Sequence, residues 1–152
     1  MLLISLLIIR IPPERICFEI TETAVVFSLG KAVRFIEELR GFGCRFVLDD
    51  FGTGISSFAY LKSLQVDYLE INGTFVRDIL EDKLDFSMVR SINEIGHVMG
   101  KLTIAEFVKN ERILQWMTEI EMDYAQDYGV ARPAPLEQLL GGLSQEEIKN
   151  SE

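Results

Sequence analysis

With 152 residues, 48% of them hydrophobic and 26% charged, the chain has the make-up of one globular domain or a piece of a larger one. Its formal net charge of −9 argues against nucleic acid as a partner, because phosphate binding runs on clustered lysine and arginine. A small anionic ligand stays open, provided cations offset the acidic residues around it.

The opening "MLLISLLII" is too short to span a bilayer. It also lacks the basic start and small-residue cleavage site of a signal peptide. It reads as a buried strand or helix, or as a start displaced from its natural context. "RICFEI" (15–20) is short, β-branched and aromatic, and is expected to form a strand. In "KAVRFIEELR", Ala32, Phe35, Ile36 and Leu39 share one helical face, and Gly41 and Gly43 stop the helix. Cys17 and Cys44 lie in apolar runs without metal-ligand spacing, which predicts reduced, buried thiols of a cytoplasmic protein.

"RFVLDD" is the second expected strand, followed by a short helix "FAYLKSL" that Ser56 or Ser57 caps. "DYLEI" is the third strand. A helix over about 85–99 places Met88, Ile92, Ile95 and Met99 on one stripe. "LTIAEFV" (102–108) is the fourth strand, and Ile113, Trp116, Met117 and Ile120 give the next helix its face. Trp116 and the methionine stripe are expected in the core. "DYAQDYG" (123–129) reads as a fifth strand, Pro133 and Pro135 lead to a last helix, and "SQEEIKNSE" is a polar, frayed tail.

Strands alternating with helices over short links indicate a parallel sheet with right-handed crossovers. Doubly wound sheets and (β/α)8 barrels both fit. A whole barrel needs eight units and typically about 250 residues, so the four to five units here make either a small open domain or part of a barrel.

The polar residues fall at the strand ends. Glu19 and Glu22 end the first strand, Asp49 and Asp50 the second, Glu70 and Asn72 the third, Glu106 the fourth and Gln126 the fifth. In parallel α/β folds this edge is where ligands bind. Asp49 and Asp50, followed by Phe51 and Gly52, are open to two readings: a turn, or a metal or phosphate site. Acidic residues at four consecutive strand ends would repel one another with nothing bound, and hard oxygen ligands suit Mg²⁺, Mn²⁺ or Ca²⁺. Other motifs fall short. "DFG" has no glycine-rich nucleotide loop with it, "GTGISS" lacks the Lys of a P-loop, and the single histidine, His97, reads as structural.

"FEITET", "GCRFVLDDFGTGISSFAYLKSLQVDYLEINGTFVRDI", "IGHVMGKLTIAEFV" and "MDYAQDYGVARPAPL" resemble the bacterial EAL-type cyclic di-GMP phosphodiesterases over roughly residues 12–140. The resemblance implies a TIM-like barrel that hydrolyses cyclic di-GMP to linear pGpG with two Mg²⁺ or Mn²⁺ ions. It implies metal ligation by Glu19, Asp49 and Asp50, a bracing role for Glu22 under the DDFG loop, a catalytic-site role for Glu106, and a site position for Gln126.

Four positions depart from that pattern. Glu70 and Asn72 stand in "LEIN" where the family has "LKID", so a lysine near the nucleophilic water becomes a disabling glutamate. Lys109 replaces a glutamate, and Asp127 replaces the glycine after Gln126. Glu70 and Lys109 form a reversed ion pair or have drifted independently. The family's EAL segment and the asparagine that complete the first metal site have no counterpart here, as in a truncated or interrupted gene.

The expectation is therefore a partial TIM-like (β/α) barrel over 12–141, an apolar segment 1–11 of unclear origin and a polar tail 142–152. Mg²⁺ or Mn²⁺ binding is expected to be weak or absent, cyclic di-GMP binding weak or lost, and catalysis absent. A degenerate regulatory or protein-interaction module is the alternative, and an active phosphodiesterase the third reading. An apolar inner face and two unpaired sheet edges favour self-association or a partner protein.

Overall fold

The computed structural model describes residues 12–52 and 58–134. The apolar start, the Ser56/Ser57 cap, the helix beyond Pro135 and the polar tail lie outside the described residues. Five parallel strands form one sheet in the order β1-β2-β3-β4-β5: Cys17–Thr21, Arg45–Phe51, Tyr68–Ile71, Leu102–Ala105 and Tyr124–Ala125. Helices α1 (Glu22–Phe27) and α2 (Leu29–Arg40) link β1 to β2, and α3 (Phe58–Leu61) precedes β3. Helices α4 (Gly73–Arg77) and α5 (Lys83–Val98) precede β4, and α6 (Glu111–Glu119) precedes β5. Sequential order with parallel pairing is the progression of a (β/α) barrel wall.

The strands alternate as a pleated surface requires. Phe46, Leu48, Leu69, Ile71, Thr103 and Ala105 are buried on the face that the helices cover. Cys17, Val47, Tyr68, Ile104 and Tyr124 line a hollow of about 360 Å³ on the other face. Cys17 is thus exposed and only Cys44 is buried, contrary to the reading of both as core thiols. An apolar neighbourhood in sequence does not tell which face of the sheet a residue takes.

Helix α5 corrects the sequence pattern. Its buried face is Val89, Ile92, Asn93 and Gly96, shifted from the methionine stripe, and Met88 is exposed. Gly96 sets the approach, because a Cβ there would stand 2.8 Å from the Thr103 methyl. Asn93 holds a core position because its amide donates to Ile120 O (2.6 Å) and accepts from Thr103 Oγ1 (2.5 Å), so no buried polar atom is orphaned. Trp116 is 39% exposed and lies edge-on to Phe86 at 5.0 Å, outside the core proper. Strand β5 is shorter than expected, with Glu121 (φ 59°) and Asp127 (φ 122°) turning the chain on either side.

At the amino ends of the strands the charges are matched. Arg40 donates to both Asp67 oxygens at 2.6 Å, and Asp67 also accepts from Phe46 N at 2.8 Å. Lys101 is buried and donates to Leu64 O and Val66 O at 3.0 and 3.1 Å. Burial pushes its ammonium pKa down. Among the described residues no helix is long and apolar enough to cross a membrane.

Candidate functional site

The opposite edge of the sheet gathers the acidic residues. Pairing of β2 with β3 is irregular between Leu48 and Phe51, and this places Asp49 and Asp50 together at the rim. A bulge re-aims side chains in this way. Asp50 takes φ 58° and donates its backbone N–H to Asp49 Oδ1 at 2.6 Å. Its own Oδ1 accepts from Asn72 Nδ2 at 2.5 Å. Asn72 is also the cap of α4, accepting from Thr74 N (2.9 Å) and Thr74 Oγ1 (2.6 Å). The residue that departs from an aspartate is therefore a neutral clamp between β2 and α4.

Glu106 follows β4 directly, and its Oε2 accepts from Gly73 N at 3.3 Å. Asp49, Asp50 and Glu106 each place one oxygen within 4.8 Å of the others. Burial pushes the Glu106 carboxyl up, and Asp49 and Asp50 add to that. Three half-buried carboxylates so close are hard oxygen donors suited to Mg²⁺ or Mn²⁺. Glu19, paired in register with Val47, stands outside this trio.

Glu70 is only 4% exposed in the midst of the acidic set. Burial, then Glu106, Asp49, Glu19 and Asp50, push its carboxyl up to about 8. It accepts from Gln126 Nε2, which also lies 3.4 Å from Glu106 Oε1. Lys109 does not reach Glu70. The chain leaves β4 at Ala105, Phe107 turns it with φ 57°, and the Lys109 ammonium sits 5.0 Å above the Phe107 ring. Among the described residues Glu70 forms no ion pair, so of the two readings of Glu70 and Lys109 the structure has no reversed pair.

Glu22 is buried beneath the rim, where it accepts from Gly52 N at 3.0 Å and from the Tyr60 hydroxyl. Gly52 has φ 107°, and a Cβ would lie 2.8 Å from Phe75. The loop after Asp50 is thus tied from below by a carboxylate. Burial and the Glu22 contact hold the Tyr60 hydroxyl well above its usual range. Beside the trio, Glu106, Phe107, Lys109, Gln126, Tyr128 and Arg132 line a cavity of about 820 Å³.

The family model described as "EAL domain" matches residues 1–133. The chain belongs to the EAL domain family. It is 42% identical over 129 residues to the cyclic di-GMP phosphodiesterase PdeB of Shewanella oneidensis, a match covering 85% of this chain and 15% of that protein. Identity to the cyclic di-GMP phosphodiesterase PdeA of Borreliella burgdorferi is 39% over 132 residues, covering 87% and 20%. The solved MucR phosphodiesterase in complex with c-di-GMP superposes with a TM-score of 0.85 at 30% identity, over 89% of this chain and 55% of that one. The chain thus spans about a fifth or less of those curated relatives. Structural neighbours in the EAL family are TIM-like barrels, and the parallel sheet here is part of such a wall.

Within this EAL unit, the structure brings Asp49, Asp50, Glu70 and Glu106, read from the sequence as strand-end carboxylates, to one edge. The sequence reading missed Tyr60 as the partner of Glu22, because a tyrosine in a short apolar helix carries no positional signal. It also missed Tyr128 and Arg132, whose aromatic and cationic faces lie 5.8 Å apart beside the cavity. An aromatic and an arginine just after a strand end were the available clue.

Proposed function

We propose that this chain is a cyclic di-GMP signalling unit of the EAL family that does not hydrolyse the nucleotide. The observation that carries the reading is Glu70, buried among four other carboxylates with Gln126 as its partner. Burial and the neighbouring carboxylates push its carboxyl up, and that group is either neutral or an anion. Neither form supplies the positive charge of the family lysine. Losing a cation ~4 Å from developing negative charge, at an effective dielectric near 20, costs about 4 kcal/mol, or roughly a thousandfold in rate.

The remaining groups support binding. Asp49, Asp50 and Glu106 fit one Mg²⁺ or Mn²⁺, with Asn72 fixing Asp50 while Gly73 N–H and Gln126 fix Glu106. When bound, such a cation supplies an activated water and positive charge for phosphodiester oxygens. Lys109 and Arg132 bring positive charge to the neighbouring cavity, and Phe107 and Tyr128 offer ring faces to a base. Asp127 opposes them with a carboxylate at the same wall, so affinity for an anionic nucleotide is weakened.

The test is product formation from cyclic di-GMP with Mn²⁺ by the purified chain. No pGpG is expected. Multiple turnover abolished by Asp49→Ala would overturn the reading in favour of an active phosphodiesterase, the alternative that the intact acidic trio favours.

Among the described residues, the apolar hollow lined by Cys17, Val47, Tyr68 and Tyr124 supports association with a second copy. Gel filtration is expected to show a species larger than the monomer. A compact monomer at all concentrations would count against it.

A further inference from the structure

We propose that Asp123, gripped by His97, is the positioning residue that sets Gln126 against Glu70 and Glu106. The inference rests on the placement of Gln126 at the nucleotide site argued above. Gln126 follows an edge strand of two residues, Tyr124–Ala125, paired to β4 only through Ile104↔Tyr124 and Ala105↔Ala125. A ladder this short is weak by itself. Above it, Gln126 N donates to Ala105 O (2.9 Å), and Gln126 O accepts from Val108 N (3.2 Å). Below it, one oxygen does the work. Asp123 Oδ2 accepts from Thr103 N (2.8 Å) and Thr103 Oγ1 (3.0 Å), and meets His97 Nε2 at 2.8 Å. Thr103 Oγ1 in turn bonds Asn93, which reaches Ile120 O. The base of β5 is therefore tied to β4, to α5 and to the turn after α6 through a single carboxylate.

The His97 contact is the adjustable part of this tie. An imidazolium makes a charge-assisted bond to a carboxylate, shorter and stronger than a neutral ring makes. Asp123 stays ionised over the relevant range. Partial burial pushes its carboxyl up, but the Thr103 N–H, the His97 ring and the Thr103 hydroxyl outweigh that and hold it below the usual carboxylate range. The groups around the His97 ring are Arg90 and Glu94 of α5, themselves paired at 2.8 Å, and Glu119 and Glu121 from the end of α6 and the turn beyond. Strand β4 presents only the neutral Thr103. Two further carboxylates line this groove, and a protonated ring grips Asp123 more tightly than a neutral one. Three residues later in the chain, that grip sets where the Gln126 amide points.

The experiment follows the Gln126 side-chain amide and the His97 ring by NMR in the labelled full chain between pH 5.5 and 9, without nucleotide or metal. Part of the Gln126 shift is expected to share the midpoint measured for the His97 ring, and to vanish in His97→Gln while the remaining spectrum stays folded. Gln126 resonances that ignore the His97 transition, or that keep that component in His97→Gln, would overturn the proposal.

Cyclic di-GMP affinity separates it from the reading it rests on. His97→Gln is expected to weaken binding by about three- to tenfold below the midpoint measured for the His97 ring and to change little well above it. An unchanged affinity below that midpoint overturns the positioning role. Gln126→Ala is expected to weaken binding on both sides of it. If Gln126→Ala leaves affinity intact, the site assignment itself fails, whatever the NMR titration gives.

Discussion

The two edges of the sheet handle charge in opposite ways. At the amino ends, Asp67 faces Arg40 and a backbone N–H, and Lys101 is capped by two carbonyls, so each of these charges has a partner of the right kind. At the carboxyl ends, Asp49, Asp50, Glu70 and Glu106 crowd together, and among the described residues amide groups donate to each of them. The first arrangement stabilises the fold and the second taxes it. Electrostatic strain concentrated at one edge of a barrel wall is a mark of a ligand site.

The largest expected effect comes from breaking the matched edge. Asp67→Ala removes two charge-assisted bonds to Arg40 and orphans Phe46 N, which is expected to cost about 2–4 kcal/mol. Urea denaturation at constant m-value measures it. A loss under about 0.5 kcal/mol would mean that the amino-end edge is no more structural than the other.

The next test acts on the strained edge. The Glu70 carboxyl is held at about 8 in the fold, above its ordinary value of 4.5. A carboxyl raised on folding stabilises fully below its unfolded pKa, and that contribution is lost as pH climbs to the folded one. Stability should thus fall between about pH 4.5 and 8, with Glu106, also raised, adding to the slope. Glu70→Gln keeps a partner for Gln126 and removes most of that slope, gaining on the order of 2 kcal/mol at pH 8.5. Equal slopes in both proteins would show that Glu70 is not the strained group.

Legibility in the sequence followed the same division. The strands were readable because apolar, β-branched runs recur at short intervals, and parallel topology then brings every carboxyl end to one rim. That is why Asp49, Asp50, Glu70, Glu106 and Gln126 could be grouped without a structure. Contacts requiring a particular partner were not readable. Asn93 and Gly96 occupy the core face of α5 because Thr103 and Ile120 meet them there, and apolar periodicity gives polar or small residues no such weight. Cys17 depended on what covers the inner face. Lys109 depended on the left-handed turn at Phe107, which carries it away from the strand-end register.

The smallest effect concerns Asp127, which joins both themes. Its φ of 122° lies where glycine is at ease and a side chain is strained, and glycine is the residue the EAL pattern places there. Strain of this kind costs about 1–3 kcal/mol. Against its removal stand the bond from Tyr128 N to Asp127 Oδ1 at 2.6 Å and the greater freedom of glycine in the unfolded chain, each about 0.5–1 kcal/mol. Asp127→Gly is therefore expected to stabilise by about 0.5–1 kcal/mol. Asp127→Ala, which keeps the strain and loses the bond, should destabilise by about as much. Because Asp127 lines the cavity beside Lys109 and Arg132, the glycine variant should also bind cyclic di-GMP more tightly, through loss of a like charge. Paired urea curves and titrations decide it: if both variants destabilise equally, the backbone at Asp127 is not strained and only its carboxylate matters.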